Sequence, residues 1–182
     1  MNAPMEEKEK VPAPAAPQEQ SMDPTIEEEV AGKYLTFSLE NKEYGIGILK
    51  VKEIIGMLPI TAIPRTPDHV KGVINLRGKV IPIVDLRIKF GMPPQEYDER
   101  TCIIVVEINS KTGILLIGIV VDAVSEVLNI NKEQIEPPPS FGSKMNINYI
   151  MGMAQVEKSV KILLNIDDVL NRNEIIQLES VA

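Results

Sequence analysis

Residues 72–86 read GVINLRGKVIPIVDL, two apolar runs joined by the polar tripeptide Arg77-Gly78-Lys79. A glycine between two basic side chains fits an anion-binding loop, and it fits the corner of a β-hairpin equally well. A phosphate loop needs a helix N-terminus directly after its glycine, where backbone N–H groups point outward. Here Gly78 is followed by Lys79-Val80-Ile81-Pro82-Ile83-Val84, an aliphatic run that reads as a strand. The stretch is read as a hairpin, with Gly78 supplying the positive φ of a tight turn and Asp85 N-capping a short helix. Pro82 inside the second run points to an edge position or a bulge.

The block recurs. HVKGVINLRGKVIPIVDLRIKFG (69–91) lies over YIMGMAQVEKSVKILLNIDDVLN (149–171) without gaps at a spacing of 80. Gly72 meets Gly152, Val80 meets Val160, and Asp85 meets Asn165. Gly91 meets Asn171, two residue types suited to a left-handed helix stop. Upstream, KYLTFSL (33–39), a turn at 41–43 and EYGIGILKV parallel CIIVVEI (102–108), the turn NSKTG (109–113) and ILLIGIVVDAV. Aligning Gly47-Ile48 with Gly118-Ile119 leads, with a two-residue length difference, to the tetrads VKEI (51–54) and VSEV (124–127).

The body is therefore two copies of one small β unit, about 33–95 and 100–172. Such a unit buries too little surface alone, so two are expected to pack face to face over a shared aliphatic core. Closing each sheet into a small barrel would hide its strand edges. The expected class is mainly β, with short helices and a C-terminal helix or tail over 173–182 (NEIIQLESVA).

Composition agrees. The 182 residues include 3 Phe, 4 Tyr and no Trp, so Val, Ile and Leu must build the interior. No apolar run approaches the roughly 20 residues of a membrane-spanning helix. Residues 1–30 show no signal-peptide pattern. They hold 8 acidic and 2 basic side chains and 5 of the 14 prolines, the composition of a disordered tail. The other 152 residues carry a net charge of only −1, which argues against nucleic-acid binding. The single cysteine, Cys102, lies in an apolar strand; with no disulfide possible within the chain, the cytoplasm is the natural compartment.

No catalytic residue, metal site or cofactor emerges. Tyr44-Gly45-Ile46-Gly47-Ile48-Leu49-Lys50 starts like a dinucleotide fingerprint, but Lys50 replaces the third glycine and no βαβ unit surrounds it. His69, the only histidine, has no Ser or Cys nucleophile nearby and reads as a surface turn residue. Asp167-Asp168 sits in the first turn of a short helix, where it complements the helix dipole.

Positions that differ between the copies cannot all be demanded by the shared fold. The sharpest difference is the hairpin corner, Arg77-Gly78 in one copy and Glu157-Lys158 in the other. Arg77 presents a planar fork of donors, and Glu53 in the first tetrad is its obvious acid partner. Two readings stay open: a surface salt bridge, or a charged pair at a partner-binding groove.

VKEI (51–54), the 69–91 block, GIVVDAVSEVL (118–128) and EQIEPPPSF (133–141) resemble the CheW family of bacterial chemotaxis coupling proteins, over about residues 33–172. The resemblance implies one CheW-like domain over 31–176, two SH3-like five-stranded β-barrels related by a pseudo-two-fold. It also implies a non-enzymatic, cytoplasmic, stand-alone adaptor with no cofactor, monomeric when isolated and part of a receptor array. Its partners would be the cytoplasmic tips of methyl-accepting chemoreceptors and the regulatory domain of the histidine kinase CheA. Carried over by motif, Val51, Glu53, Gly72, Arg77 and Val127 would face the receptor, and Phe141 the kinase. Glu136 stands where a basic residue is expected near that kinase contact. The competing expectations are an SH3-like peptide-binding module for another signalling partner and a small-ligand barrel.

Overall fold

The computed structural model describes residues 31–138 and 148–181. The expected tail over 1–30 lies outside the described residues. In the first unit, β1 (Gly32–Leu39) and β2 (Lys42–Gly47) form a hairpin; a 3₁₀ turn (Ile48–Lys50) leads into β3 (Val51–Gly56). β4 (Val70–Leu76), β5 (Lys79–Asp85) and α1 (Leu86–Lys89) follow. The second unit runs β6 (Cys102–Ser110), β7 (Gly113–Val121), β8 (Ala123–Ile130), β9 (Ile135–Glu136), β10 (Ile150–Val156), β11 (Ser159–Leu164), α2 (Ile166–Val169) and α3 (Arg172–Glu179).

The spacing of 80 holds down to the caps. β4, β5 and α1 each begin 80 residues before β10, β11 and α2. Asp85 accepts the Ile88 N–H and Asn165 accepts the Asp167 N–H, so both act as N-caps. The Asp85 N–H donates to the His69 carbonyl and the Asn165 N–H to the Tyr149 carbonyl, both at 2.7 Å. The parallel ends at Asn171. Instead of stopping α2, it N-caps α3 in a capping box with Glu174, which starts the expected C-terminal helix.

Strand pairing crosses the two units. One sheet has the order β8-β1-β2-β11-β10-β9 and the other β3-β6-β7-β5-β4. Each unit lends its leading hairpin to the other's sheet: β1–β2 sits between β8 and β11, and β6–β7 between β3 and β5. The ranges 33–95 and 100–172 are thus repeats in sequence, while each sheet draws strands from both. The chain does not fold back after β2 or β7 but crosses to the other sheet. Among the described residues neither strand order closes on itself, so the expected barrels are present as open sheets, with the two-residue β9 as a sixth strand in one.

The pairing also corrects the glycine alignment. Gly45 lies opposite Leu163 and Gly118 opposite Ile83, so Gly45-Ile46 is the true counterpart of Gly118-Ile119. Both then stand six residues before their tetrads, and the apparent two-residue length difference disappears. A Cβ on Gly118 would lie 2.5 Å from Ile83 Cδ1 and 2.8 Å from Ile103 Cγ2. Gly118→Ala is therefore expected to destabilise the fold by about 1–3 kcal/mol, read as a lowered urea midpoint at unchanged slope. Pro82 lies in an inner strand and not at an edge. The missing N–H is tolerated because the β5–β7 ladder begins only at Ile83.

Burial follows these layers. Ile103 and Val105 point into a small core with Ile74, Ile81 and Ile83, whereas Ile104, Val106 and Ile108 face the large core between the sheets. Tyr34, Ile130, Ala154 and Leu163 form the matching small core of the other sheet. Phe37, Tyr44, Phe90 and Tyr149 stack in series through the central layer, with centroids 5.9, 6.0 and 5.0 Å apart. Such contacts contribute about 0.5–1.5 kcal/mol each beyond burial. Four of the chain's seven Phe and Tyr residues are thereby placed at the joint between the sheets. Among the described residues no helix is long and apolar enough to cross a membrane.

Candidate partner-binding face

Asn75, Arg77 and Gly78 build the corner of the β4–β5 hairpin. Arg77 and Gly78 both have positive φ (50° and 84°), the twist that a two-residue hairpin loop requires. Asn75 Oδ1 accepts the Gly78 N–H at 2.8 Å and braces the turn. The braced corner aims Arg77 at Glu53, whose Oε1 accepts from Nη1 at 2.9 Å while Oε2 accepts from Nη2.

The pair joins opposite margins of one sheet. Glu53 lies on β3 at one edge, and Arg77 tips the hairpin that forms the other. The sheet must curl for the two to meet. Beneath them a crevice is lined by Leu76, Ile81, Val105 and Leu116, with Lys52 and Lys79 at its margin. Arg77 stays 70% exposed and Glu53 28%, so the guanidinium keeps donors open to the outside. In the other copy the corresponding positions are Glu126 and Glu157, two acids, although Glu157 keeps the corner's positive φ (56°).

The two-pronged hydrogen bond from Arg77 holds the Glu53 carboxyl below its ordinary value of 4.5, and Glu53 in turn pushes the guanidinium up. Because the folded value is the lower one, any stability from the pair is present above 4.5 and is lost as pH falls through the folded value. In an NMR titration of the Glu53 side chain, Arg77→Ala is expected to move the midpoint up toward 4.5. An unchanged midpoint would show that the pair is not formed in solution.

The other expected site residues are not equivalent. Val51 opens β3, half-buried against the inter-sheet core. Gly72 is buried, and a Cβ there would lie 2.0 Å from the Thr61 carbonyl oxygen. Val127 is 51% exposed on β8 of the other sheet. Its counterpart in the first copy, Ile54, is 44% exposed next to Glu53 and escaped the sequence reading, although the aligned tetrads already paired the two. Phe141 lies outside the described residues. Glu136 accepts from the Gln155 amide at 3.2 Å.

His69 is not the surface residue expected. Its side chain is 13% exposed, with Nε2 3.1 Å from Glu174, which also takes Lys89 at 2.8 Å. Burial holds the imidazole below its ordinary value, against the upward pull of Glu174. Cys102 is half-buried, its Sγ 3.2 Å from the Arg100 carbonyl. No group of three or more His, Cys, Asp or Glu suited to a metal occurs among the described residues.

A duplicated aliphatic β body with one copy-specific charged face defines a small, two-sheet β domain. The CheW-like domain model matches residues 33–174, and the chain belongs to that family. It is 43% identical over 155 residues to the chemotaxis protein CheW of Klebsiella aerogenes, covering 85% of this chain and 91% of the relative. With the chemotaxis protein CheW of Bacillus subtilis it shares 31% identity over 144 residues, covering 79% and 88%. The crystal structure of the scaffolding protein TtCheW from Thermoanaerobacter tengcongensis superposes with a TM-score of 0.70 at 35% identity, covering 79% of this chain and 95% of that one.

Proposed function

We propose that this chain is a non-enzymatic cytoplasmic adaptor that couples the cytoplasmic tips of methyl-accepting chemoreceptors to the regulatory domain of the kinase CheA. The observation that carries the reading is the asymmetry of the repeat. The fold builds the same corner twice, yet only one copy places an arginine–glutamate pair over an aliphatic crevice. Family membership and the names of the relatives support the signalling context.

In this reading Glu53 and Arg77 meet the receptor tip, with Val51 and Val127 supplying apolar contact. Gly72 supports that face from within, and Phe141 belongs to the kinase side. The adaptor acts by geometry: receptor and kinase are held so that a conformational bias in one reaches the other.

Reconstitution tests it. Adding the protein to receptor-bearing membranes and CheA is expected to place autophosphorylation under ligand control. Unchanged kinase activity together with no binding to a CheA regulatory domain would point to a peptide module for another partner.

A further inference from the structure

The chain passes directly from a strand of one sheet into a strand of the other at the 3₁₀ turn 48–50 and at Asp122, and a charged clasp closes each crossing. At Asp122, Oδ1 accepts from Arg87 Nε of α1 at 2.7 Å and Oδ2 accepts the Glu40 N–H at the β1–β2 turn at 2.9 Å. The Asp122 N–H also donates to the Ser38 carbonyl at 3.1 Å. At the other crossing, Lys50 Nζ meets Asp167 Oδ2 of α2 at 2.6 Å, and Asp167 Oδ1 accepts the Asn109 N–H at the end of β6 at 2.9 Å.

The two clasps correspond in two of their three members, while at the crossings Lys50 aligns with Ala123 and Asp122 with Leu49, one position apart. Asp167 follows Arg87 by the repeat spacing of 80, and Asn109 occupies the place of Glu40 in the paired hairpins. The charges, however, are reversed. The acid sits at the crossing in one clasp and on the helix in the other. The sign is free while the connection is kept, which is what a mechanical tie between sheets requires. Each tie joins a helix that follows one sheet to a hairpin of the other. Arg87 is 13% exposed, Asp122 26%, Asp167 24% and Lys50 33%, so these pairs are better shielded than ordinary surface pairs.

We infer that the Arg87–Asp122 and Lys50–Asp167 clasps are positioning residues that fix how the two sheets stand relative to each other. Val51 and Glu53 follow Lys50 directly on one sheet, and Val127 follows Asp122 by five residues on the other. The clasps thereby set the spacing of the two halves of the proposed receptor face. This role rests on the adaptor reading above; the ties themselves do not.

The test combines Asp122→Asn with Asp167→Asn in the full chain. Spin labels at Val80 and Val160, exposed sites on β5 and β11 outside the clasps, report the inter-sheet distance. The variant is expected to fold, to broaden that distance distribution, and to lose about fivefold or more of receptor control over CheA. Binding of the isolated receptor tip should fall less than control does. Lys50→Asp with Asp167→Lys rebuilds the second clasp with the acid at the crossing, as in the first, and is expected to restore distance and control. An unchanged distance distribution overturns the inference, and so does a broadened one with undiminished control. If the unaltered protein gives no control of CheA, the adaptor reading fails instead, and the distance measurement alone decides whether the clasps fix the sheets.

Discussion

Replacing Gly72 with alanine is expected to lower the unfolding free energy by about 4 kcal/mol, a large part of the roughly 5–15 kcal/mol that holds a domain together. Two costs add. The residue has φ 136°, where an L side chain is strained, and its Cβ would lie 2.0 Å from the Thr61 carbonyl oxygen and 2.9 Å from Ala62 Cα. Backbone cannot swing aside as a side chain can. Thr61 is held there by two 2.9 Å hydrogen bonds with Val73, one in each direction. The preceding Met57, Leu58 and Ile60 pack over the small core beneath.

Two other glycines calibrate this prediction. Gly78→Ala is expected to cost only about 1 kcal/mol, because that corner has φ 84° but nothing within 4 Å of the added methyl. Gly152→Ala should fall between, since the Cβ would lie 2.9 Å from the Glu136 carbonyl oxygen without a positive φ. Urea unfolding of the three variants checks the order. A Gly72→Ala protein within 1 kcal/mol of a Gly78→Ala protein would sink the close-approach account. Any loss of partner binding in Gly72→Ala is expected to track the folded fraction, because the residue is buried.

Much of this was legible in the chain because it is local. The hairpin, its cap and the following short helix depend on neighbours in sequence, and the repeat printed them twice. The Glu53–Arg77 pair was legible for a different reason: the second copy shows what the fold does not need. The hairpin exchange was not legible, since the choice of which distant strand to pair with leaves no mark on either strand's own pattern. YGIGI offered two equal Gly-Ile matches, and only packing separates them. Leu163 stands 3.1 Å from where a Cβ on Gly45 would be, while Gly47 has open space. His69 was misplaced for a similar reason, because the helix that covers it begins about a hundred residues later.

Reversing the charge of Arg77 is expected to weaken the proposed receptor contact strongly while leaving the fold intact. The second copy is the internal control for the fold, because Glu157 occupies the same corner with φ 56° where Arg77 has 50°. Arg77→Glu therefore asks nothing of the backbone that this chain does not already do. It does place a carboxylate against Glu53, so the fork is replaced by like charges over the crevice. On the proposed function, receptor-tip binding should fall by about tenfold or more, with thermal unfolding shifted by no more than a few degrees. Combining Arg77→Glu with Glu53→Arg rebuilds an ion pair with its ends exchanged. If the pair only closes the curl of the sheet, this double variant recovers binding. If the partner reads the exposed guanidinium at the corner, binding stays lost although the pair re-forms. The 70% exposure of Arg77 against 28% for Glu53 favours the second outcome, because the arginine is the more exposed member of the pair. Full binding by the single Arg77→Glu variant would remove this face from the receptor contact altogether.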